Sequence, residues 1–287
     1  MNLKKLLNWR FKIIAKLILS KLPLPYSLWK KIALFEHGAM ENPEYCLSVF
    51  KAHYDAGNFN NKGNSWNALE LGPGDSLAMA LIAKCFGANK VYLVDVGAFA
   101  NTNIDDYKTL AKYLAHKGYN PPDISSVNNF QQLLEKLNAI YLINGLNSLG
   151  QIADNEIDFC FSQAVLEHVR RHEFDKLTAE LKRVINPEGL NSHRVDLRDH
   201  LQQSLNNLRF SDKVWESDFF SSAGFYTNRL RYCEIVESFK DSGFGVKTPV
   251  IDRWERLPLP RRKMNKQFQE YSDEELCISG FNLIAKL

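Results

Sequence analysis

Nowhere in this sequence does an apolar run approach the roughly 18 residues needed to cross a bilayer, so no membrane-spanning helix is expected. Cysteine is scarce and unpaired. Cys46, Cys85, Cys160, Cys233 and Cys277 are odd in number and never form a CxxC pair. That argues against a disulfide framework or a thiolate zinc site, and for reduced thiols in a cytoplasmic setting. No segment repeats at a solenoid period. Hydrophobic residues at 45% and charged residues at 24% match globular averages, which excludes a disordered or collagen-like chain. A net charge of +3 is too small to point to nucleic acid by itself. The 287 residues suffice for two domains or for one decorated α/β domain.

Acidic residues are missing altogether from Met1 to Phe35, where Lys4, Lys5, Arg10, Lys12, Lys16, Lys21, Lys30 and Lys31 supply only positive charge. Leu3, Leu6, Leu7, Ile13, Ile14, Leu17, Ile18 and Leu22 recur at the spacing of one helical face. Pro23 and Pro25 end the pattern. Lysines interrupt it too often for a signal peptide. Such a helix either packs on its own domain or lies on an anionic membrane, giving residues 1–31 a peripheral role at the inner membrane surface. Residues 1–64 read as a helical extension and 65–287 as the main domain.

Beyond a helical stretch near Tyr45–Tyr54 and a polar loop from Gly57 to Asn64, short apolar runs alternate with longer helical ones. That is the signature of βαβ units and a mainly parallel sheet. Strands are predicted near Asn67–Leu71, Lys90–Val96, Ala139–Ile143, Ile157–Ser162 and Leu190–Leu197, then Phe244–Trp254 and Leu276–Leu287. Helices are predicted near Ser76–Phe86, Asp105–His116, Glu173–Val184 and Arg229–Ser242, with Gly87 as a C-terminal cap and Pro187-Glu-Gly as a terminator. Ser272-Asp-Glu-Glu275 has the form of a capping box.

The stretch Glu70-Leu-Gly72-Pro-Gly74-Asp-Ser76-Leu77 joins a strand to a helix, as a ligand-binding turn does. It lacks the third glycine of a dinucleotide fingerprint, and Leu77 stands in that place. Glu70 would repel a pyrophosphate but welcome an ammonium group. Asp95 closes the second strand, where a carboxylate can accept both hydroxyls of a ribose. The implied ligand carries a ribose and a cationic amino-acid end.

Together with Val94-Asp95 and the later Ser162-Gln-Ala-Val-Leu-Glu-His168-Val, this loop resembles the class I S-adenosylmethionine-dependent methyltransferases over roughly residues 67–287. The later string looks like the small-molecule branch of that family. The stretch His193-Arg-Val-Asp196-Leu-Arg-Asp199-His200, with Asn228-Arg229-Leu230, is similar to bacterial methyltransferases of surface-polysaccharide biosynthesis. The resemblance implies a Rossmann-like α/β fold: a seven-stranded, mainly parallel sheet with an antiparallel last strand, helices on both faces, and here an N-terminal helical extension. It places Glu70, Gly72, Pro73, Gly74 and Ser76 at the methionine end of S-adenosylmethionine, Asp95 on its ribose and Val96 on its adenine. Gln163 falls at the mouth of the fourth strand, beside cofactor and acceptor. Ser76 departs from the family's third glycine, and Asn144-Gly145 stands where an acid often follows the third strand.

Methyl transfer from a sulfonium is a displacement in which the protein supplies mainly alignment. A hydroxyl acceptor also needs a base. His193, His200 and His168 are the candidates near strand ends, with Asp196 orienting an imidazole or binding a polar acceptor. His193, Asp196, Asp199 and His200 also invite a metal reading. Residues three apart on a strand point to opposite faces, however, so no metal is expected from this set, and Asp199 reads equally as a cap. The aromatics between Phe210 and Tyr226 stack on an acceptor or fill a packed loop. Arg261-Arg-Lys263 reads as a solvated face, and no nucleic-acid module accompanies it. The sequence thus favours O-methylation of a small-molecule or glycan acceptor. A C-methyltransferase for a quinone-like acceptor, a nicotinamide oxidoreductase and a non-catalytic binding protein are the competing classes.

Overall fold

The computed structural model describes residues 9, 13, 40, 42–57, 59 and 65–287. The expected basic helix over 1–31 therefore lies outside the described residues, apart from Trp9 and Ile13. Ile13 is buried against Leu201, Trp215, Ala223, Phe225 and Tyr226. Trp9 meets Phe210 edge-on with ring centroids 6.0 Å apart, and the Arg209 guanidinium lies 5.0 Å from the Trp9 ring.

The sheet has seven strands: β1 (Trp66–Leu71), β2 (Ala88–Val94), β3 (Ala139–Leu142), β4 (Ile157–Gln163), β5 (Ile185–Asp196), β6 (Gly245–Arg253) and β7 (Ile278–Lys286). Their order is β3-β2-β1-β4-β5-β7-β6. The β1–β2, β1–β4, β2–β3 and β4–β5 pairs are parallel, and β7 runs antiparallel to β5 and β6. This is the Rossmann-like α/β architecture that the sequence implies. The chain reverses direction across the sheet where β1 meets β4, so the C-terminal ends of these strands open a crevice for a ligand.

Helices cover both faces because the strands are apolar on both sides. On one face lie α1 (Pro43–Ala56), α2 (Ala78–Cys85), α3 (Ile104–His116) and α4 (Phe130–Leu137). On the other lie α5 (Phe174–Val184) and α6 (Tyr232–Asp241). α1 begins where Asn42 accepts the backbone N–H groups of Glu44 and Tyr45, with Pro43 at its first position. It packs directly on the sheet: the Phe50 ring stands edge-on to Phe159 and Phe161 at 6.2 and 5.7 Å. Lys286 Nζ donates to Gly57 O at 3.2 Å, closing the end of α1 onto β7.

Two elements differ from the sequence reading. α4 is not anticipated by the sequence reading, although Phe130, Leu133, Leu134 and Leu137 recur at the i, i+3, i+4, i+7 spacing of one helical face. It forms because Asn129 caps its start, Asn138 ends it in the left-handed region at φ 48°, and Leu133 and Leu137 are buried. Pro187-Glu-Gly189 does not terminate a helix. α5 already stops at Val184, and these residues make the irregular start of β5, whose pairing with β4 shifts register between Ile157 and Phe159.

Phe159 holds the middle of the aromatic core, in ring contact with Phe50, Tyr54, Phe59, Trp66 and Phe161. Phe159→Ala leaves a cavity there and is expected to cost about 3–5 kcal/mol in chemical denaturation. A loss under about 1 kcal/mol would mean that this cluster does not carry the core.

Candidate active site

The ligand edge is built from three successive strand ends. β1 stops at Leu71, and the chain turns through Gly72 and Gly74, both left-handed at φ 65° and 61°. At Gly72 glycine serves twice, since an added Cβ would fall 2.5 Å from Val165 Cγ2 in the loop after β4. Gly72 N–H donates to Val94 O at 2.8 Å, and Gly74 N–H donates to Asp95 Oδ2 at 2.9 Å. Asp95 Oδ1 accepts Val96 N–H at 2.7 Å. Its backbone completes the frame: Asp95 N–H reaches Leu142 O, and Asp95 O accepts Gly145 N–H. Asp95 therefore joins the loops after β1, β2 and β3 at one point. Tyr141 fixes the next loop by donating to Gly97 O and accepting Phe99 N–H. It gives no signal in the sequence, because its partners lie more than 40 residues away.

Glu70 is buried beside this frame, and its Oε2 has no hydrogen-bond partner. Burial and then the Asp95 charge push its carboxyl well above the usual range. A buried acid of this kind is relieved by a cation, and an ammonium group is the simplest one. Pro73 lies between the two glycines. Ser76 Oγ accepts Ala78 N–H at 3.2 Å just before α2 begins. Val96 stands 77% exposed at the mouth, an apolar surface open to a flat ring. These residues fit S-adenosylmethionine: a carboxylate for an ammonium, a second carboxylate for ribose hydroxyls and an apolar side chain for adenine.

Gln163, at the end of β4, is held by a residue the sequence reading does not single out. His53 on α1 lies 3.1 Å from Gln163 Oε1 through Nε2 and 2.9 Å from Ser192 Oγ through Nδ1. Burial pushes the His53 pKa down to about 4, so the ring is neutral at pH 7. The amide oxygen can only accept, so Nε2 carries the hydrogen and Nδ1 accepts from Ser192.

The acceptor side corrects one expectation. His193 is fully buried, its Nδ1 lies 2.8 Å from Ser162 Oγ, and its ring packs against Phe239. Burial and then His53 push its pKa down to about 3. A group that no solvent or acceptor reaches cannot take a proton, so the expected base role of His193 does not hold. The sequence put it at the right strand end but could not tell which face it takes. Asp196 is engaged by Arg198, whose backbone N–H, Nε and Nη2 donate to it at 3.0, 2.8 and 2.7 Å. Burial raises its pKa, but the Arg198 hydrogen bonds outweigh that and hold it below the usual range. His200 remains partly exposed on the loop after β5, edge-on to His168 with ring centroids 4.8 Å apart. Asp199 is a cap, accepting the N–H groups of Leu201, Gln202 and Asn206. The aromatics of residues 210–226 fill a packed loop: Phe210, Phe220, Phe225 and Tyr226 surround Trp215.

Residues 69–191 match the family described as a methyltransferase domain. That span, less than half of the chain, is similar to methyltransferase domains. The matched span holds Glu70, the glycine loop, Asp95 and Gln163. It stops within β5, so His193, Asp196 and His200 fall beyond it, while Glu167 and His168 lie inside it. No curated protein matches the chain. Among solved structures, phosphoethanolamine N-methyltransferase 2 of Haemonchus contortus is similar at 16% identity and a TM-score of 0.44, covering 84% of this chain and 52% of that one. The chain thus spans about half the length of that nematode enzyme. An S-adenosylmethionine-dependent methyltransferase from Mesorhizobium loti matches at 15% identity and a TM-score of 0.45, over 82% of this chain and 98% of its own. One from Archaeoglobus fulgidus matches at 12% identity and a TM-score of 0.45, over 84% and 94%.

The buried neutral histidines make stability pH-dependent with a defined sign. Unfolded, His53 titrates near its ordinary value of 6.5; folded, near about 4. The unfolded chain therefore binds more protons in that window, and folding stability falls as pH drops from 6.5 toward 4. His53→Gln, measured by denaturation across that range, is expected to show a shallower fall than the unsubstituted protein. An equal slope would place His53 in contact with solvent.

Proposed function

We propose that this protein transfers the methyl group of S-adenosylmethionine to a hydroxyl of a small-molecule or glycan acceptor. The observation that carries the reading is the ligand edge framed by Asp95, with the buried Glu70, whose Oε2 has no hydrogen-bond partner, beside it. S-adenosylmethionine brings a methyl group on a sulfonium, already activated for displacement. Glu70 would hold its amino group, and Asp95 would accept its ribose hydroxyls from a carboxylate already fixed by Gly74 and Val96 N–H. Gln163, steadied by His53, stands at the mouth of β4 between this edge and the acceptor side.

A hydroxyl acceptor must lose a proton, and aligned general bases contribute about 10²–10⁴-fold. The titratable groups that support this on the acceptor side are His168 and His200, with Asp196 nearby. A polar cluster of this kind favours an oxygen-rich acceptor over a lipophilic quinone, which would call for an apolar wall.

Calorimetric titration with S-adenosylhomocysteine and, separately, NADH tests the cofactor reading. Binding of the first alone is expected, weakened about 10–100-fold in Asp95→Ala, since hydrogen bonds to a charged group contribute about 1.5–3 kcal/mol. Binding of NADH instead would reverse the assignment of the glycine loop.

The lysines and arginine of residues 1–31 would attract an anionic leaflet on the cytoplasmic side. The full chain is expected to sediment with anionic vesicles in low salt, and a form lacking residues 1–31 to stay in solution. Equal behaviour of the two removes the membrane role.

A further inference from the structure

Three side chains with no part in holding the cofactor converge at the C-terminal edge of β4 and β5. Ligand atoms of Glu167, His168 and His200 all lie within 4.8 Å of one another. Glu167 is 1% exposed, and neither of its carboxylate oxygens has a hydrogen-bond partner. A carboxylate so buried demands a proton, a paired cation or a metal. The nearby guanidinium groups act on Glu167 only through their charge, since Arg198 hydrogen-bonds Asp196, and Arg194 hydrogen-bonds Asp252 and Asn282.

The histidines fit the third choice. His168 Nδ1 lies 2.9 Å from Tyr226 O. A carbonyl only accepts, so Nδ1 carries a hydrogen, and in the neutral ring Nε2 is then the nitrogen that can bind an ion. This is how metal-bound histidines are oriented, by donating the other N–H to a backbone carbonyl. His200 comes from the loop after β5, with its ring edge-on to His168. Bonds of about 2.0–2.2 Å would set the ligand atoms about 3–3.5 Å apart around one ion. The present spacing, within 4.8 Å, is wider than that, so the ligands must draw together around an ion.

We propose that Glu167, His168 and His200 bind a divalent first-row transition-metal ion of the manganese or zinc type. Two imidazoles and one carboxylate suit such an ion, whereas magnesium and calcium prefer oxygen throughout. Three protein ligands leave coordination positions open. The site adjoins the cofactor edge, because Val165, two residues before Glu167, closes over Gly72. On the methyltransferase reading given above, the open positions take oxygens of the acceptor; ion binding itself is independent of that reading.

The test uses the full chain, free of tags and stripped with a chelator, without cofactor or acceptor. Mn²⁺ and Co²⁺ are titrated calorimetrically, and thermal unfolding is followed with and without each ion. One ion per chain is expected, together with a raised unfolding temperature. Affinity should fall more than about tenfold in both Glu167→Gln and His200→Ala, since even outer partners of a ligand are worth about 10–100-fold. Burial pushes the Glu167 carboxyl up to about 8, so without metal Glu167→Gln replaces a mostly neutral acid by an amide of the same shape, and its metal-free form should unfold close to the metal-free parent. The Co²⁺ form should show weak visible bands without the intense thiolate absorption that cysteine ligation gives. Failure of the parent protein to bind either ion, unchanged affinity in both variants, or a thiolate spectrum overturns the proposal. Since S-adenosylhomocysteine binding is measured separately, loss of one reading leaves the other standing.

Discussion

The hydrogen bond from Gly74 N–H to the Asp95 carboxylate is the constraint on which the ligand edge depends. A parallel sheet leaves its strand ends unconnected, so each loop there must be tied by something other than ladder pairing. Asp95 ties three of them, through Oδ2 to the loop after β1, through Oδ1 to its own loop, and through its backbone to the segment around β3. A ribose bound there would meet a carboxylate already in position, which saves the entropy of ordering it at binding.

Around that frame the protein buries more polar groups than its fold requires. His53, Gln163 and Ser192 form a chain of hydrogen bonds between α1 and the sheet. Ser162 and His193 form another on the opposite face. Glu70 and Glu167 are buried with carboxylate oxygens that have no partner. Satisfied polar groups cost little and fix geometry, whereas unsatisfied ones destabilise the fold and mark places prepared for something else. Two such acids flank one ligand edge: Glu70 toward the cofactor side and Glu167 toward the acceptor side.

The two halves of the site differ in how they are built. The cofactor half lies inside the span that matches the methyltransferase domain, and its residues sit on strand ends and one tight loop. The acceptor half is assembled from the loops after β4 and β5 and from residues 201–230, where Trp215 and its neighbours pack on Ile13. Loops of that kind carry specificity in open α/β sheets, which is why the cofactor is readable and the acceptor stays a proposal.

The sequence by itself determined the strand–helix alternation, the left-handed glycine turn and the two acids at the ends of β1 and β2. All of these rest on local chemistry: period-2 apolar runs, glycine's access to positive φ, and residues a few positions apart. It could not determine burial at the ends of β5. His193 and His200 look alike in the chain, yet the sheet turns one into the core against Phe239 and leaves the other at the rim. Nor could it find His53, because its partners lie 110 and 139 residues away. Glu167 was legible as part of a motif but not as an acid without a partner. That property belongs to the space around a side chain, and only the packed tertiary structure fills or leaves that space.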